Sequence, residues 1–212
     1  MHLLVIRFSA MGDVALTAPV IHSLLELNPT LKITLVSNSF FEPFFNEHDR
    51  FTFQPAEVKG IHKGVSGLKT LHSKLPSDID AVVDIHDVLR SRILCSYFKL
   101  GGKKIVRFDK GRAEKKALLK PNCDFKKLPH TTARYFEPFQ QLGLKTGFTE
   151  YPWTLSMGSD ALARFWKSHQ LSGKTLIGIA PFAKHEAKIW GLDKIEELID
   201  RITSEFDAEI LL

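Results

Sequence analysis

The sequence predicts an α/β protein in which helices cover both faces of a parallel sheet, followed by the beginning of a second unit of the same kind. Short apolar runs rich in β-branched residues alternate with segments of helical periodicity over the first two thirds of the chain. A segment rich in Gly, Pro and Thr at 142–156 interrupts this alternation, which then starts again. The 212 residues, 44% hydrophobic and 25% charged, suffice for one full domain and part of another.

The first strand and helix have the clearest pattern. "HLLVIRF" at 2–8 is short and continuously apolar, as expected of a strand buried on both faces. Apolar residues recur at helical spacing from Val14 to Leu27, and Asn28-Pro29 ends this helix. The first domain continues with strands at 32–37, 79–85 and 103–108, a candidate strand at 51–54, and helices near 64–75, 87–99 and 131–142.

The second unit comprises a helix at 159–169, a strand at 175–180, a helix at 192–206 and a last strand that opens at 208. About sixty residues would bury too little apolar surface for an independent domain. We therefore expect residues 1–150 to be one Rossmann-like domain, and residues 151–212 to be the start of another that continues beyond Leu212. The alternative is that these elements pack on the first domain.

Composition points to an intracellular protein. The opening "MHLLVIRF" has no basic leader and reaches Arg7 too soon for a signal peptide, and no apolar run is long enough to span a membrane. Cys95 and Cys123 have neither a disulfide pattern nor a metal-site spacing, which fits a reducing cytoplasm. We expect a cytoplasmic location.

Positive charge is concentrated in one segment. Residues 99–127 contain eleven Lys and Arg against three acidic residues, whereas the whole chain has a formal charge of +5, so the remainder is net acidic. Such a run is commonly a solvated surface; the alternative is a binding site for an anionic partner. A phosphorylated substrate, an anionic membrane surface and a nucleic acid are the candidate partners.

Several common motifs are absent from the sequence. There is no G-x-G-x-x-G after the first strand, no P-loop and no H-E-x-x-H. Asp78 and Asp80 in "SDID" form a carboxylate pair, but they directly precede an apolar strand and are typical of a turn. We expect no metal site.

"SAMGD" at 9–13 links the first strand to its helix. Gly12 predicts a tight turn that lets the backbone approach a ligand, at the edge where open α/β sheets bind theirs. Asp13 has two interpretations: an N-cap of the helix, or a general base beside a sugar hydroxyl. The residue type alone does not decide between them.

Four segments together resemble glycosyltransferase family nine, the lipopolysaccharide heptosyltransferases. "IRFSAMGDVALTAPVIHSL" is similar to the family's opening, "DIHDVLRSR" to its strand-end Asp and Arg-Ser helix, and "HTTARYFEPFQQLGL" to its His-x3-Arg-Tyr helix. "IGIAPFAKHEAKIW" resembles the family's second-domain loop. The opening matches at Arg7, Ser9, Gly12, Asp13, Thr17 and Pro19. The four segments have the family's order and cover essentially the whole chain.

The resemblance implies a GT-B architecture of two Rossmann-like domains, the first for the acceptor and the second for the nucleotide sugar. It also implies metal-independent, inverting transfer without a further cofactor, with ADP-heptose as the expected donor. Asp13 matches the base, and Lys188 matches the lysine that neutralises the donor phosphates; the alternative for Lys188 is an exposed loop lysine, with Trp190 as a packing anchor. Pro181 and Ala183 belong to the same donor loop, in which Phe182 and 184–187 depart from the family.

The resemblance implies that Ser9, Gly12 and Arg90 bind the acceptor. For Arg90 and for Arg134, an ion pair on the helix surface is an equal alternative. Because family acceptors are acidic, lipid-linked saccharides at the inner membrane, the basic segment acquires a candidate ligand. We expect the anion-binding surface to comprise Lys103, Arg107, Lys110, Arg112, Lys115 and Lys116. No nucleic acid is expected, although a non-catalytic relative or a phosphoanion- or nucleic-acid-binding module remains the alternative. The 212 residues alone are expected to be inactive, since the family's donor site extends beyond Leu212.

Overall fold

The computed structural model describes residues 1–121, 123–151, 163, 164, 167, 175–183 and 185–212. The chain divides into two compact units, Met1–Ser156 and Met157–Leu212. Residues 152–156 of the segment at 142–156, and all but three residues of the predicted helix at 159–169, lie outside the described residues.

The first unit contains a five-stranded sheet in which every neighbouring pair is parallel. Its order is β3-β2-β1-β4-β5. The strands are β1 (His2–Ile6), β2 (Lys32–Ser37), β3 (Phe51–Pro55), β4 (Ala81–Asp84) and β5 (Lys104–Arg107). The chain adds strands on one side of β1 and then returns to its other side with β4, so the junction of β1 and β4 is a topological switch point.

Helices cover both faces of this sheet. They are α1 (Met11–Ala15), α2 (Thr17–Leu27), α3 (Gly64–Ser73), α4 (Leu89–Leu100), α5 (Arg112–Ala117) and α6 (Thr131–Gln140), with a 3-10 helix at Ser39–Phe44. Side chains of β1 alternate between two cores: Leu3 and Val5 pack with α2 and α6, whereas Leu4 and Ile6 pack with α3 and α4. This two-sided burial explains why the strands are continuous apolar runs, and it confirms the predicted fold class.

The predicted single helix from Val14 to Leu27 is wrong in one respect, because the segment forms two helices that meet at Leu16. Pro19 has no N–H to donate to the carbonyl of Ala15, so one continuous helix would lose a backbone hydrogen bond there. The Thr17 hydroxyl instead donates to the carbonyl of Val14 at 2.6 Å. The first helix thus begins at Met11, earlier than predicted.

The second unit contains a parallel pair of strands, β6 (Thr175–Gly178) and β7 (Ala208–Leu211). Between them lie a 3-10 helix at Glu186–Lys188 and α7 (Leu192–Glu205). These bounds agree with the predicted strand, helix and last strand to within two residues at each end. The β-α-β order is that of a Rossmann-like unit.

Candidate functional site

The candidate site lies in the first unit at the switch point, where the carboxyl ends of β1, β4 and β5 meet. A pocket of about 330 Å³ is open there. Its lining residues are Arg7, Ser9, Ala10, Asp13, His86, Val88, Phe108, Lys110, Lys115, Thr131 and Tyr135. Ligands of open α/β sheets bind at this position, so the pocket is the site that the topology favours.

Arg7 is the anchor of the pocket. Its side chain is buried, and its Nη1 donates to the carbonyl oxygen of Ile85 at 2.6 Å. Nη2 contacts Oδ2 of Asp13 at 2.5 Å. The guanidinium carbon also lies 5.6 Å from the ring centroid of Tyr135, within cation–π range. Arg7 therefore connects the end of β1 to the segment after β4, and it fixes one oxygen of the Asp13 carboxylate.

Asp13 does not cap the helix. The N-cap of α1 is Ala10, which makes no side-chain capping hydrogen bond, and Asp13 is the third residue of the helix. Capping is excluded because the helix begins before Asp13, whose carboxylate pairs with Arg7. The side chain is 43% exposed, so its second oxygen remains accessible from the pocket.

Gly12 does not make the predicted tight turn. It lies within α1, and it is not among the glycines that have a positive φ. A Cβ placed on it would meet nothing within 4 Å. The protein itself does not require glycine at this position for a turn or for packing, and the space beside Gly12 is open.

Asp84 organises the loop after β4 from a fully buried position. Its Oδ1 accepts the backbone N–H groups of His86 and Asp87 at 3.0 and 2.8 Å. Its Oδ2 accepts the hydroxyl of Ser91 at 2.8 Å and lies 3.9 Å from Nε of Arg107. This carboxylate holds the loop backbone, so the strand-end Asp of the motif has a structural role.

His86 lines the pocket, and its imidazole is uncharged at neutral pH. Burial lowers its pKa to about 4, and the neighbouring cations Arg7, Lys110 and Arg90 act in the same direction, against the opposing effect of Asp13. Its Nδ1 accepts the backbone N–H of Phe8 at 3.3 Å. The site therefore contains a neutral imidazole beside an ion pair.

Tyr135 is another lining residue of the pocket. The residue is fully buried, and burial raises the pKa of its hydroxyl to about 12. Within the part of the chain that the structure describes, this hydroxyl has no hydrogen-bond partner. It is therefore a neutral phenol that packs against Arg7 and against Phe108, whose ring centroid is 5.0 Å away.

The predicted basic surface divides between the two edges of the sheet. Lys110 and Lys115 line the pocket itself, and Nζ of Lys110 donates to the carbonyl of Asp87 at 2.8 Å. Arg107 ends β5 and Arg112 begins α5, both at the carboxyl edge and both exposed. Lys103 precedes β5 and therefore lies at the amino edge, away from the pocket.

Burial lowers the pKa of Lys110 from its ordinary value, with further lowering by Arg112 and Arg7, against the opposing effect of Asp87.

Ser9 lines the main pocket and a neighbouring one of about 380 Å³, which Arg90 also lines. Arg90 is exposed and has no ion pair among the described residues, so the ion-pair interpretation of Arg90 is wrong.

Arg134 forms an ion pair, but not on the surface. Its buried guanidinium in α6 pairs with Glu114 in α5. The backbone of Gly111 lies directly against it, with a φ of 61°. Arg134 thus holds α5, which carries Lys115, against α6, which carries Tyr135.

The predicted donor residues lie in the second unit. Pro181 and Ala183 follow β6, and Lys188 ends the 3-10 helix, where its N–H donates to the carbonyl of His185 at 2.9 Å. The Lys188 side chain is exposed, and Trp190 is 56% exposed, so the interpretation of Trp190 as a packing anchor is wrong.

Sequence reasoning did not assign His86 or Tyr135 to the site, and it counted Arg7 only as a motif match. The available signal was position: Arg7 follows β1 directly and His86 follows β4 by two residues, at the two strands that flank the switch point. For Tyr135 the signal was its place in the His-x3-Arg-Tyr motif, since a tyrosine on an amphipathic helix is otherwise typical of a core residue.

A larger pocket of about 610 Å³ lies between the 3-10 helix at Ser39–Phe44 and the edge strand β3. Phe45, Phe51 and Phe53 line it, together with Glu42 and other acidic residues. It contains none of the predicted site residues and lies beyond β2, away from the switch point. The smaller pocket is the better candidate because charged side chains of three strand ends converge there.

Among the described residues, no group of three or more His, Cys, Asp or Glu side chains is placed to hold a metal ion. Asp78 and Asp80 both contact His2 at the amino edge of the sheet. Oδ2 of Asp78 lies 3.1 Å from Nδ1 of His2, and Oδ2 of Asp80 accepts the backbone N–H of His2 at 2.7 Å. No helix in the described ranges is both long and apolar enough to cross a membrane.

The fold and the pocket define a doubly wound α/β domain with a charged site at its switch point, the class to which many nucleotide- and sugar-handling proteins belong. Among solved structures, glycosyltransferases have a similar fold. The chain is similar to a family 9 glycosyl transferase from Veillonella parvula DSM 2008, with a TM-score of 0.74 and 19% identity. The match covers 99% of this chain and 62% of that one.

Two Escherichia coli structures are also similar. Heptosyltransferase WaaC, solved with ADP, gives a TM-score of 0.60 at 19% identity, over 99% of this chain and 67% of that one. ADP-heptose lps heptosyltransferase II gives 0.61 at 18% identity, over 99% and 63%. No protein-family model and no curated protein matches the sequence.

The chain therefore has the GT-B glycosyltransferase fold, and the predicted resemblance to family nine is confirmed at the level of fold. It spans less than two thirds of the length of the Veillonella structure.

Proposed function

We propose that the protein is an inverting, metal-independent glycosyltransferase. It moves a heptose or related sugar from a nucleotide diphosphate sugar, ADP-heptose, to a lipopolysaccharide-core or similar anionic saccharide, with no further cofactor. The observation that carries this proposal is the Asp13 carboxylate, held by buried Arg7 in a cation-lined pocket at the switch point. The fold supports it, because the similar structures are glycosyltransferases.

Asp13 is the proposed general base. The acceptor hydroxyl donates its proton to the free carboxylate oxygen while its own oxygen attacks the anomeric carbon of the donor sugar. The bond between that carbon and the diphosphate oxygen breaks on the opposite face, and the diphosphate leaves with the electron pair. Arg7 leaves one Asp13 oxygen available to the hydroxyl, because it occupies the other.

The charges of the pocket suit an anionic acceptor. Lys110 and Lys115 line it, and Arg90 lines the adjoining pocket with Ser9. In a partly buried site each cation attracts a carboxylate or phosphate more strongly than it would in bulk water. On the donor side we propose that Lys188 neutralises the leaving diphosphate and that Pro181 and Ala183 shape its loop; this rests on the motif resemblance.

The test is release of nucleoside diphosphate by the protein as its gene encodes it, with a nucleotide sugar and an acidic saccharide acceptor. Asp13→Asn keeps an oxygen for Arg7 but cannot accept the proton, so release should fall at least 100-fold, the usual contribution of a general base. Asp124→Asn removes an exposed carboxylate from the same unit as a control. Activity that survives in Asp13→Asn would exclude Asp13 as the base.

Three companion measurements complete this test. Activity should persist in excess chelator if transfer is metal-independent. The 212-residue chain by itself is expected to be inactive. Salt-sensitive binding of DNA or RNA without transfer would favour the alternative, a nucleic-acid-binding module.

We further propose that the protein works in the cytoplasm and contacts the inner membrane peripherally through the carboxyl edge of the sheet. Met11, Phe40 and Leu89 follow the neighbouring strands β1, β2 and β4 and are exposed; Phe40 and Leu89 are 69% and 74% exposed. The next strand, β5, is followed by the cations of α5. Apolar side chains beside cations suit an anionic lipid surface.

Vesicle binding tests this contact, with phosphatidylglycerol-rich vesicles compared with phosphatidylcholine vesicles. Replacement of Arg112, Lys115 and Lys116 by Gln should weaken binding to the anionic vesicles at least tenfold at low salt, since each such cation contributes about 1 kcal/mol. The matched control replaces Lys99, Lys103 and Lys104, which lie at the amino edge. For the apolar part, Phe40→Ser is compared with Leu100→Ser, because Leu100 is 86% exposed at the amino edge. Equal effects of the edge and control variants would refute the contact.

A further inference from the structure

His86 lines both pockets of the switch point, the one that contains Asp13 and the adjoining one that contains Arg90. Ser9 and Val88 are also common to the two pockets. A ligand that occupies both pockets therefore lies beside His86. Neither the motif resemblance nor the basic segment assigns a role to His86.

The position of His86 is fixed from two strands. On the β4 side, its backbone N–H donates to Oδ1 of the fully buried Asp84 at 3.0 Å. On the β1 side, its ring meets that of Phe8 edge to face, with centroids 5.7 Å apart. A side chain held in this way has little rotamer freedom left to lose when a ligand binds.

The hydrogen bonding of the ring selects one tautomer. Nδ1 accepts the backbone N–H of Phe8 at 3.3 Å, which requires a lone pair on Nδ1 and assigns the proton of the neutral ring to Nε2. Nε2 has no hydrogen-bond partner among the described residues, and it is not one of the buried unpaired atoms. An N–H donor is therefore open to the pocket.

Burial and the charges around the ring keep this donor neutral. Burial disfavours a proton on Nδ1 most strongly; Arg7 after β1, Lys110 after β5 and Arg90 in α4 act in the same direction, and Asp13 in α1 opposes them. A neutral imidazole adds no positive charge to the pocket that contains the Asp13 carboxylate.

We propose that His86 is an acceptor-binding residue whose neutral Nε2–H donates a hydrogen bond to an oxygen of the acceptor saccharide, next to the hydroxyl that Asp13 deprotonates. This inference rests on the proposed function for the identity of the ligand. The tautomer and the open donor are properties of the protein itself, and they can be measured without turnover.

The kinetic test compares His86→Ala with His86→Gln, whose amide N–H reaches the position of Nε2. His86→Ala should raise the KM for the acceptor about tenfold, the effect of one lost hydrogen bond. It should leave the KM for the nucleotide sugar unchanged, and His86→Gln should recover most of the loss. His48→Ala, at a histidine outside both pockets, is the control.

An unchanged acceptor KM in His86→Ala, with turnover still abolished in Asp13→Asn, would overturn the role of His86 and leave the proposed function intact. An acceptor KM that rises between about pH 6 and 8 in the wild type, but not in His86→Gln, would also overturn it, because that pattern requires a binding imidazolium.

Nitrogen NMR of the imidazole provides the second measurement. The signals of His86 are assigned as those that disappear in His86→Gln. We expect the neutral Nε2–H tautomer at every pH from about 5.5 to 8, with a shift of the Nε2 signal on addition of acceptor. An Nδ1–H tautomer or an imidazolium in this range would overturn the inference. A wild-type protein without transferase activity would overturn the proposed function and the ligand's identity, while the tautomer would still be determined.

Discussion

Gly111→Ala should destabilise the first unit by more than its backbone conformation alone explains. Gly111 has a φ of 61°, where an alanine costs about 1 kcal/mol. The added Cβ would also lie 2.8 Å from Cζ of Arg134 and 2.9 Å from both of its terminal nitrogens. Such contacts are too short to persist, so the guanidinium of Arg134 must move.

The movement of Arg134 determines the magnitude. Its guanidinium is buried and pairs with Glu114, which is 51% exposed, so the Coulomb part of that pair is worth only about 0.5–1 kcal/mol. A buried donor left without its partner costs about 1–3 kcal/mol more. Together with the strain at φ, we expect a loss of about 3 kcal/mol in unfolding free energy.

Urea unfolding followed by circular dichroism measures this loss. Gly102→Ala is the matched control, because Gly102 has a φ of 77° but nothing within 4 Å of an added Cβ, so only about 1 kcal/mol of strain is expected. Equal losses in the two variants would refute the steric argument. In a Glu114→Gln background the extra cost of Gly111→Ala should shrink, since the ion pair is already broken.

Three further predictions concern the buried groups of the pocket. Arg7→Met should lower the urea-derived stability by about 2 kcal/mol, since it removes a charged hydrogen bond to a carbonyl, and a loss below about 0.5 kcal/mol would contradict the anchoring role. Tyr135→Phe removes a hydroxyl without a described partner, so stability should be unchanged or rise by up to about 1 kcal/mol, and a clear loss would reveal a missed hydrogen bond. The pKa of His86 is lowered from 6.5 to about 4 in the folded state, so the unfolded chain binds more protons between these values and stability falls as pH falls through this window. Discounted for partial exposure, the loss is about 1–2 kcal/mol, and an unaltered dependence of Tm on pH in His86→Gln would exclude this cause.

The strands were predictable because a strand that is buried on both faces has a short, largely apolar sequence. β1, β2 and β4 are short and almost wholly buried, and the structure gives their bounds within two residues of the prediction. By contrast, α5 was not predicted, since none of its residues is buried and it therefore has no apolar periodicity. The 3-10 helix at Ser39–Phe44 was missed for a related reason, because Phe41 is its only buried residue.

The interruption of the helix at Leu16 could have been predicted from the residues present. Pro19 cannot donate to the carbonyl of Ala15, so the periodicity from Val14 to Leu27 should have been divided at this point. Apolar spacing alone does not detect the break, because Val14 and Ala18 are both buried on either side of it.

The site was predictable as a location but not as a set of contacts. The observed order of the strands assigns a ligand to the ends of β1 and β4. Asp13 was chosen because it follows the carboxyl end of the first strand and matches the motif, and Arg90 was chosen from the motif alone. The ion pair between Arg7 and Asp13 depends on the early start of α1, a matter of a few residues, which is the scale at which pattern-based helix bounds fail. The two roles predicted for Asp13, N-cap and general base, therefore require different helix starts. A helix that begins at Val14 would make Asp13 its N-cap. The observed helix begins at Met11, so the Asp13 carboxylate pairs with Arg7 and keeps one oxygen for a substrate.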